Sequence, residues 1–439
     1  GAENHTTLLT IAPSPMEEEV IWTGSDDGLV HVTRSSGGAW EEVGHRARGI
    51  PESTWVPHIE ASRHAQGTAY VAFDDHRRGS WEPFLFRVEE YGRRWRRIAD
   101  EDDLRGFVHT VEEDPTTPNL LFAGTEFGLW VSLNRGQDWF RWEHGIPAVP
   151  VRSVVVHPRD FDLVLGTHGR SLYVLDDIRP LQDLAADPSI ASTGLYLFGP
   201  PPAFLVSEGA ADGYHFAGDA LFQGEARPRG ALLTYWVGEE ADSLGLSNVT
   251  VEILDSFGEA VRSLEGPAEV GLNRIVWDLR EANPLEGAAS AGRLGREGPE
   301  VLPGSYRIRV RAGPHRAASA LAVLPDPREE IPLEERIQRR RALDRALEVV
   351  RVSVELETRL DSLQAGTQRI RAQLRDTGED LGIRVRALAD SAEARAGALQ
   401  RALGEIREDL RDLSSLASTR DRPTEAARIN LPRAEEAVD

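Results

Sequence analysis

Five carboxylates in the first 130 residues recur at one place in a repeated pattern: Asp26-Asp27, Asp74-Asp75 and Glu126. Paired carboxylates facing each other across a channel can act as the acid and base of a glycoside hydrolase, one protonated and one ionised at a fixed separation. The same residue types have a plainer use. Aspartate at a hairpin tip accepts hydrogen bonds from its own turn, and a repeat places similar residues at similar tips with or without chemistry. Turn structure is the favoured reading of the five. His168 holds the matching place in a looser copy, with Arg170 beside it. The pair is the candidate ligand contact, although a lone histidine beside an arginine is more often hydrogen-bonded between neighbouring blades, which is the favoured reading of His168.

Other chemistries lack their residues. The chain of 439 residues has no cysteine, which removes disulfides, zinc-thiolate sites and cysteine nucleophiles together. His58, His64 and His76 do not fall at metal-ligand spacing, and there is no phosphate-binding glycine loop, no Gly-x-Ser-x-Gly elbow and no calcium loop. No metal and no cofactor are expected. A net charge of −22 repels nucleic-acid phosphate, so nucleic acid is not an expected partner. All 50 basic residues are arginine, which reads as the codon drift of a GC-rich bacterial genome. No apolar run reaches the roughly 18 to 20 residues of a membrane span. The start at Gly1-Ala2-Glu3 reads as a processed or truncated product.

The elements that must hold the acids repeat. An apolar pair, Gly-Ser/Thr, two polar residues and Gly-Leu occur as Trp22 to Leu29 and again as Phe122 to Leu129. A looser copy runs from Val164 to Leu172, and an expanded one runs from Tyr70 to Asp75 before an insertion that ends at Phe84. Taking Gly24, Ala72, Gly124 and Gly166 as equivalent, the intervals are 48, 52 and 42 residues, the length of a propeller blade. Short β-branched runs such as Val154-Val155-Val156, a proline-bearing turn and a glycine hairpin give the up-and-down strands of one blade.

A second signal follows the third strand of each unit: two polar residues one apart, glycine, then tryptophan. Thr33, Ser35, Gly37 and Trp40 fit it, as do Ser132, Asn134, Gly136 and Trp139, and Glu90, Gly92 and Trp95 fit in part. These turns resemble the Asp-box of BNR-repeat propellers, Ser-x-Asp-x-Gly-x-x-Trp. Together with the string Val164 to Asp177 they resemble the bacterial sortilin-like BNR-repeat proteins. No copy here carries the full Ser, Asp, Gly, Trp set. The resemblance implies a propeller of more blades than the four visible, an Asp-box at the outer corner away from any ligand, and a role in binding peptides or proteins. Sialidases and xyloglucan-cleaving enzymes carry related repeats, and a sialidase would also need an arginine triad and a tyrosine nucleophile that this sequence does not let us assign.

The chain is therefore read as mainly β and multidomain, with β-propeller blades over 1–178 and a connector rich in proline and glycine over 179–230. An Ig-like β-sandwich follows over 231–325, similar to that of flagellar hook-capping proteins. Apolar steps of three and four from Pro332 predict an antiparallel helical hairpin over 332–417, along Leu343, Leu347, Val350 and Val354 and then Val385, Leu388, Ala392, Leu399 and Leu403. A polar tail, 418–439, ends the chain. The function expected is a non-enzymatic scaffold or protein- and peptide-binding module, periplasmic or extracellular, an accessory subunit of an envelope or membrane-associated assembly. Oligomerisation through 332–417 is a further expectation. The alternative is a glycoside hydrolase using Asp26, Asp27, Asp74, Asp75 or Glu126.

Overall fold

The computed structural model describes residues 6–206, 224–242, 245–286, 297–373, 379–413 and 425–438. Gly378, in the glycine-bearing stretch between the two runs of the expected helical hairpin, lies outside them. The chain forms two compact units, Gly1–Thr193 and Gly194–Asp439.

The first unit is four antiparallel sheets in chain order, the architecture of propeller blades. Blade 1 is β1 (Leu8–Pro13), β2 (Val20–Ser25), β3 (Val30–Arg34) and β4 (Trp40–Glu42). Blade 2 is β5 (Trp55–Ala61), β6 (Ala69–Asp74), β7 (Phe84–Glu89) and β8 (Arg94–Ala99). Blade 3 is β9 (Val108–Glu113), β10 (Leu121–Thr125), β11 (Gly128–Ser132) and β12 (Phe140–Arg141). Blade 4 has three strands, β13 (Val151–Val156), β14 (Leu163–Thr167) and β15 (Leu172–Leu175), before helix α1 (Arg179–Ala186). Blades 2 and 3 bury both faces of their second strands, as the unbroken apolar runs of β6 and β10 require, whereas β14 of blade 4 keeps Val164, Gly166 and Thr167 half-buried.

Register shows how exact the repeat is. Every first strand is bulged at the same point, between Leu8 and Thr10, Trp55 and His58, Val108 and Thr110, and Val151 and Ser153. Leu8, Val56, Val108 and Val151 are thereby equivalent. Two of the repeat glycines exist for the approach of the next blade: a Cβ on Gly24 would overlap Val56, and one on Gly124 would stand 2.5 Å from the Val151 carbonyl oxygen. The polar turns work as their residue types imply. In blades 1 and 3 the Thr33 and Ser132 hydroxyls accept the Gly37 and Gly136 amides at 3.0 and 2.8 Å, with both glycines at positive φ. Trp139 then donates to the Ile98 carbonyl of the blade before it at 2.9 Å.

The second unit opens with a two-layer sandwich. One sheet is β16 (Leu195–Leu197), β18 (Ala231–Val237) and β21 (Gly271–Trp277); the other orders β17 (Ala203–Leu205), β23 (His315–Pro325), β22 (Gly304–Ala312), β19 (Asn248–Leu254) and β20 (Ala260–Pro267). A short helix α2 (Glu239–Asp242) follows β18. Val249, Val251 and Ile253 alternate inward against Tyr235, Trp277 and Ile308, the period of two that a half-buried strand demands. Two of these strands, β16 and β17, come from the stretch that reads as connector. The apolar run Leu195 to Phe198 predicts a strand there and β16 occupies it, whereas the three residues of β17, next to Pro200-Pro201-Pro202, are too short for a pattern to show.

Helices α3 (Leu333–Gln373) and α4 (Glu379–Leu413) pack against each other, and α5 (Glu425–Val438) packs on both. The tail expected to be merely polar is thus a helix that buries Leu431 and Ala434. Two apolar residues among charged ones are too few to register as a stripe. Leu285, from the loop after β21, enters the same cluster. Beside it Arg340 of α3 forks onto Glu281 through two bonds of 2.6 Å and bonds Asp344 at 2.7 Å. Hydrogen bonds to such charged, half-buried groups contribute about 2 kcal/mol. Arg340→Ala is therefore expected to lower the stability of this unit by about that amount, read as the shift of its denaturant midpoint.

Candidate functional site

Strand direction puts the turns between second and third strands at one end of every blade, and the polar-Gly-Trp turns at the other. The five carboxylates do share the first end, each absorbed by its own surroundings. Asp26 accepts the Thr6 and Thr7 amides at 2.8 Å, and Asp27 accepts the Ser25 hydroxyl. Asp74 takes the His76 amide at 2.9 Å and its ring Nδ1 at 2.7 Å. Asp75 binds Arg78 Nε at 2.5 Å, and Arg78 reaches on to Thr54 Oγ1 and the Glu52 carbonyl. Glu126 meets His109 Nε2 at 2.9 Å. None of the five is hydrogen-bonded to another. His168 and Arg170 are exposed on the tip of blade 4. Neither side chain makes a hydrogen bond or ion pair among the described residues, and the His168 amide bonds the Pro150 carbonyl.

What the fold does assemble at this end is aromatic. Trp81, in the insertion of blade 2, is 53% exposed and lies 5.4 Å from the Phe107 ring and 5.9 Å from Phe127, nearly parallel to the latter. His76 stacks on Phe107 at 4.6 Å, and His109 meets the same ring edge-on at 4.7 Å. Gly106, at positive φ, makes room for Phe127, since a Cβ there would stand 2.7 Å from its ring. Burial holds His109 below its ordinary pKa, with Arg152 acting in the same direction and Glu126 opposing. Three exposed arginines lie at this end of the blades, one of them on a ring of the cluster. Arg105 lies 5.2 Å from Phe127, Arg77 3.6 Å from Trp55, and Arg152 close enough to His109 to act on its charge. None of the three forms an ion pair among the described residues.

Sequence reasoning marked the acids and passed over the rings. The insertion around Arg77-Arg78-Gly79-Ser80 looks like an interruption of a blade, yet it carries Trp81 onto aromatic residues from the loop and hairpin of blade 3. The available signal was composition: tryptophan in an insertion at a tip, where turns are otherwise small and polar.

The opposite end holds two carboxyls whose pKa values are strongly raised. Glu60 is pushed up to about 8 by burial and then by the Glu112 carboxylate, against Arg63. Burial pushes Glu112 to about 7, opposed by Arg63 and the Val156 amide. Beside them Glu113 is fully satisfied, accepting from Ser62 Oγ at 2.8 Å, the Arg63 amide at 2.7 Å and the Tyr70 hydroxyl at 2.9 Å. An open cleft of about 780 Å³ also lies at this end, lined by Glu17, Glu19, Arg34, Trp40 and Tyr91.

No protein-family model matches the sequence, and neither does any curated protein. Among solved structures, a YCF48 bound to D1 peptide is similar over 40% of this chain and 53% of its own, at 14% identity and a TM-score of 0.30. YCF48 from Cyanidioschyzon merolae is similar over 40% of this chain and 58% of its own, at 18% identity and a TM-score of 0.27. The match thus spans little more than half the length of either.

Proposed function

We propose that this chain is a binding module whose blade tips take a peptide or protein segment on the platform of Trp81 and Phe127, backed by the buried Phe107. The observation that carries the reading is the half-exposed Trp81 ring, held by Phe107 and Phe127, with Arg105 over Phe127 and in no ion pair among the described residues. Large rings supply contact area at little entropic cost, and unpaired arginines reward carboxylates. The favoured ligand is therefore an extended segment with an aromatic or proline residue flanked by Asp or Glu. The scaffold role is extracytoplasmic in this proposal, with the sandwich as spacer. The helical groove, where Leu363, Leu388 and Leu399 lie exposed, is a second docking or oligomerisation surface.

Binding to an array of acidic, aromatic-bearing peptides tests the first part. Trp81→Ala is expected to weaken binding by about 2 kcal/mol, roughly thirtyfold, as central aromatic contacts do. Trp40→Ala, at the opposite end, should leave it unchanged. Equal affinity in the Trp81 variant and the unmodified chain would defeat the platform. The hydrolase alternative predicts instead that Asp74→Asn or Glu126→Gln abolishes turnover of a β-glycan or sialoside that the unmodified chain cleaves.

A further inference from the structure

The five-stranded sheet of the second unit presents a row of arginines on its outer face. Alternation along β22 turns Ile308 and Val310 into the sandwich core and leaves Arg307, Arg309 and Arg311 exposed on the other side. Arg316 of β23, also exposed, stands directly opposite Arg311. Like charges paired across strands destabilise a sheet, so the arrangement costs the free protein something. Of the four, only Arg309 has a carboxylate partner among the described residues, Glu252 at 3.4 Å. In a chain with 72 acidic and 50 basic residues, such a row departs from the average surface.

Beside the row the face drops. Strand β23 turns Leu321 and Val323 inward and exposes Ala318, Ala320 and Ala322, with Arg309 paired to Ala318 and Arg307 to Ala320. At the end of this strip Leu324 is exposed and pairs with the exposed Phe204 of β17. Short methyl groups thus form a floor and arginine side chains one wall. An open hollow of about 470 Å³ lies where Arg309, Arg311 and Arg316 meet Ala318.

We infer that this face docks an amphipathic acidic helix of a partner protein, its apolar stripe on Ala318, Ala320 and Ala322 and its carboxylates on Arg307, Arg309, Arg311 and Arg316. Charge complementarity sets the sign of the partner. Backbone chemistry selects a helix: a sheet face offers no backbone donors or acceptors, so an extended segment would bury unpaired amides there, whereas a helix satisfies its own. Spacing agrees. Alternate residues of a strand stand about 6.7 Å apart and residues four apart on a helix about 6 Å, so acids on successive turns reach successive arginines. From Ala318 to Leu324 the strip runs about 20 Å, the length of roughly four helical turns. A phosphate polyanion or an anionic bilayer is disfavoured, because the net charge of −22 repels an extended negative surface before so small a patch attracts it.

The test uses the full chain and three helical peptides of about 14 residues, free of aromatic residues and proline so that the blade-tip rings have nothing to hold. One carries a leucine and alanine stripe flanked by glutamates, one has lysines in place of those glutamates, and one keeps the glutamates but replaces the stripe by glutamine. Fluorescence anisotropy should show the first binding about tenfold more tightly than either of the others. Arg311→Glu with Arg316→Glu should reverse the preference between the glutamate and lysine peptides. Ala320→Tyr fills the floor at an exposed strand position that tolerates an aromatic residue, and should weaken the first peptide about tenfold. Circular dichroism and the melting profile establish that each variant is folded. Equal affinity for the three peptides, or binding of the first that both variants leave unchanged, overturns the proposal. So does absence of binding by the unmodified chain, which leaves the face to the chain's own segments. Capture of phosphatidylserine vesicles without binding of the first peptide overturns it in favour of a lipid surface.

Discussion

Valine at position 124 is expected to destabilise the first unit by about 3 kcal/mol, while valine at the equivalent position 166 leaves folding within about 0.5 kcal/mol. The two glycines share a place in the repeat and differ in surroundings. At Gly124 the first side-chain carbon would stand 2.5 Å from the Val151 carbonyl oxygen, 2.8 Å from Thr110 Cγ2 and 2.9 Å from Val151 Cγ1. That oxygen belongs to the backbone of β13, so it retreats only if blade 4 moves as a body, and overpacking of this kind is costly. At Gly166 the space is ordinary, and valine's preference for strands offsets part of any strain. Calorimetry of both variants measures the difference. Equal shifts for the two would mean that blades 3 and 4 are not held in the contact described.

Raising the pH from 5 to 8 is expected to cost the first unit roughly 2 to 4 kcal/mol through Glu60 and Glu112. Both carboxyls have folded values above the ordinary 4.5, at about 8 and about 7, because burial disfavours their charged forms. The folded state therefore binds protons that the unfolded chain releases. The contribution of these two groups is complete below about pH 4.5, shrinks as the pH climbs towards 7 to 8, and is gone above. Their protons come off as a pair, since each carboxylate raises the other's cost and Arg63 sits between them, at 3.5 Å from Glu60 and 3.4 Å from Glu112. His58 and His109, kept below 6.5 by burial, act in the opposite sense at the acid end. The readout is therefore the difference between the unmodified chain and a Glu60→Gln, Glu112→Gln double variant at each pH. The variant should gain on the unmodified chain from pH 5 to 8, and parallel profiles would show that the two groups ionise freely.

The same contrast between repeated residues and unrepeated surroundings explains what was legible in advance. The blades were readable because the hairpin glycines, the β-branched runs and the polar-Gly-Trp turns act within a few residues of themselves. The tip acids were readable as residues, and their absorption into turns followed from the local reach of an aspartate side chain. The aromatic platform was not readable, because Trp81, Phe107 and Phe127 are distant in sequence and meet only when blades 2 and 3 pack. In the helices, the stripe held in part: Leu343, Leu347, Val350 and Leu403 are buried along it. Leu388 and Leu399 are exposed, however, and Ala389 and Ala396 are buried instead, because small residues permit the close approach that leucines would prevent.

By itself, then, the sequence determined the blade repeat, its hairpin and polar-turn chemistry, the sandwich strands long enough to alternate, and the helical C-terminal part. The tertiary structure alone decided which copies of the repeat are covered. Leu8 and Val151 carry the same instruction, and so do Gly166 and Gly124, because a residue's type fixes what it can pack against while its burial depends on whether a neighbouring blade is there.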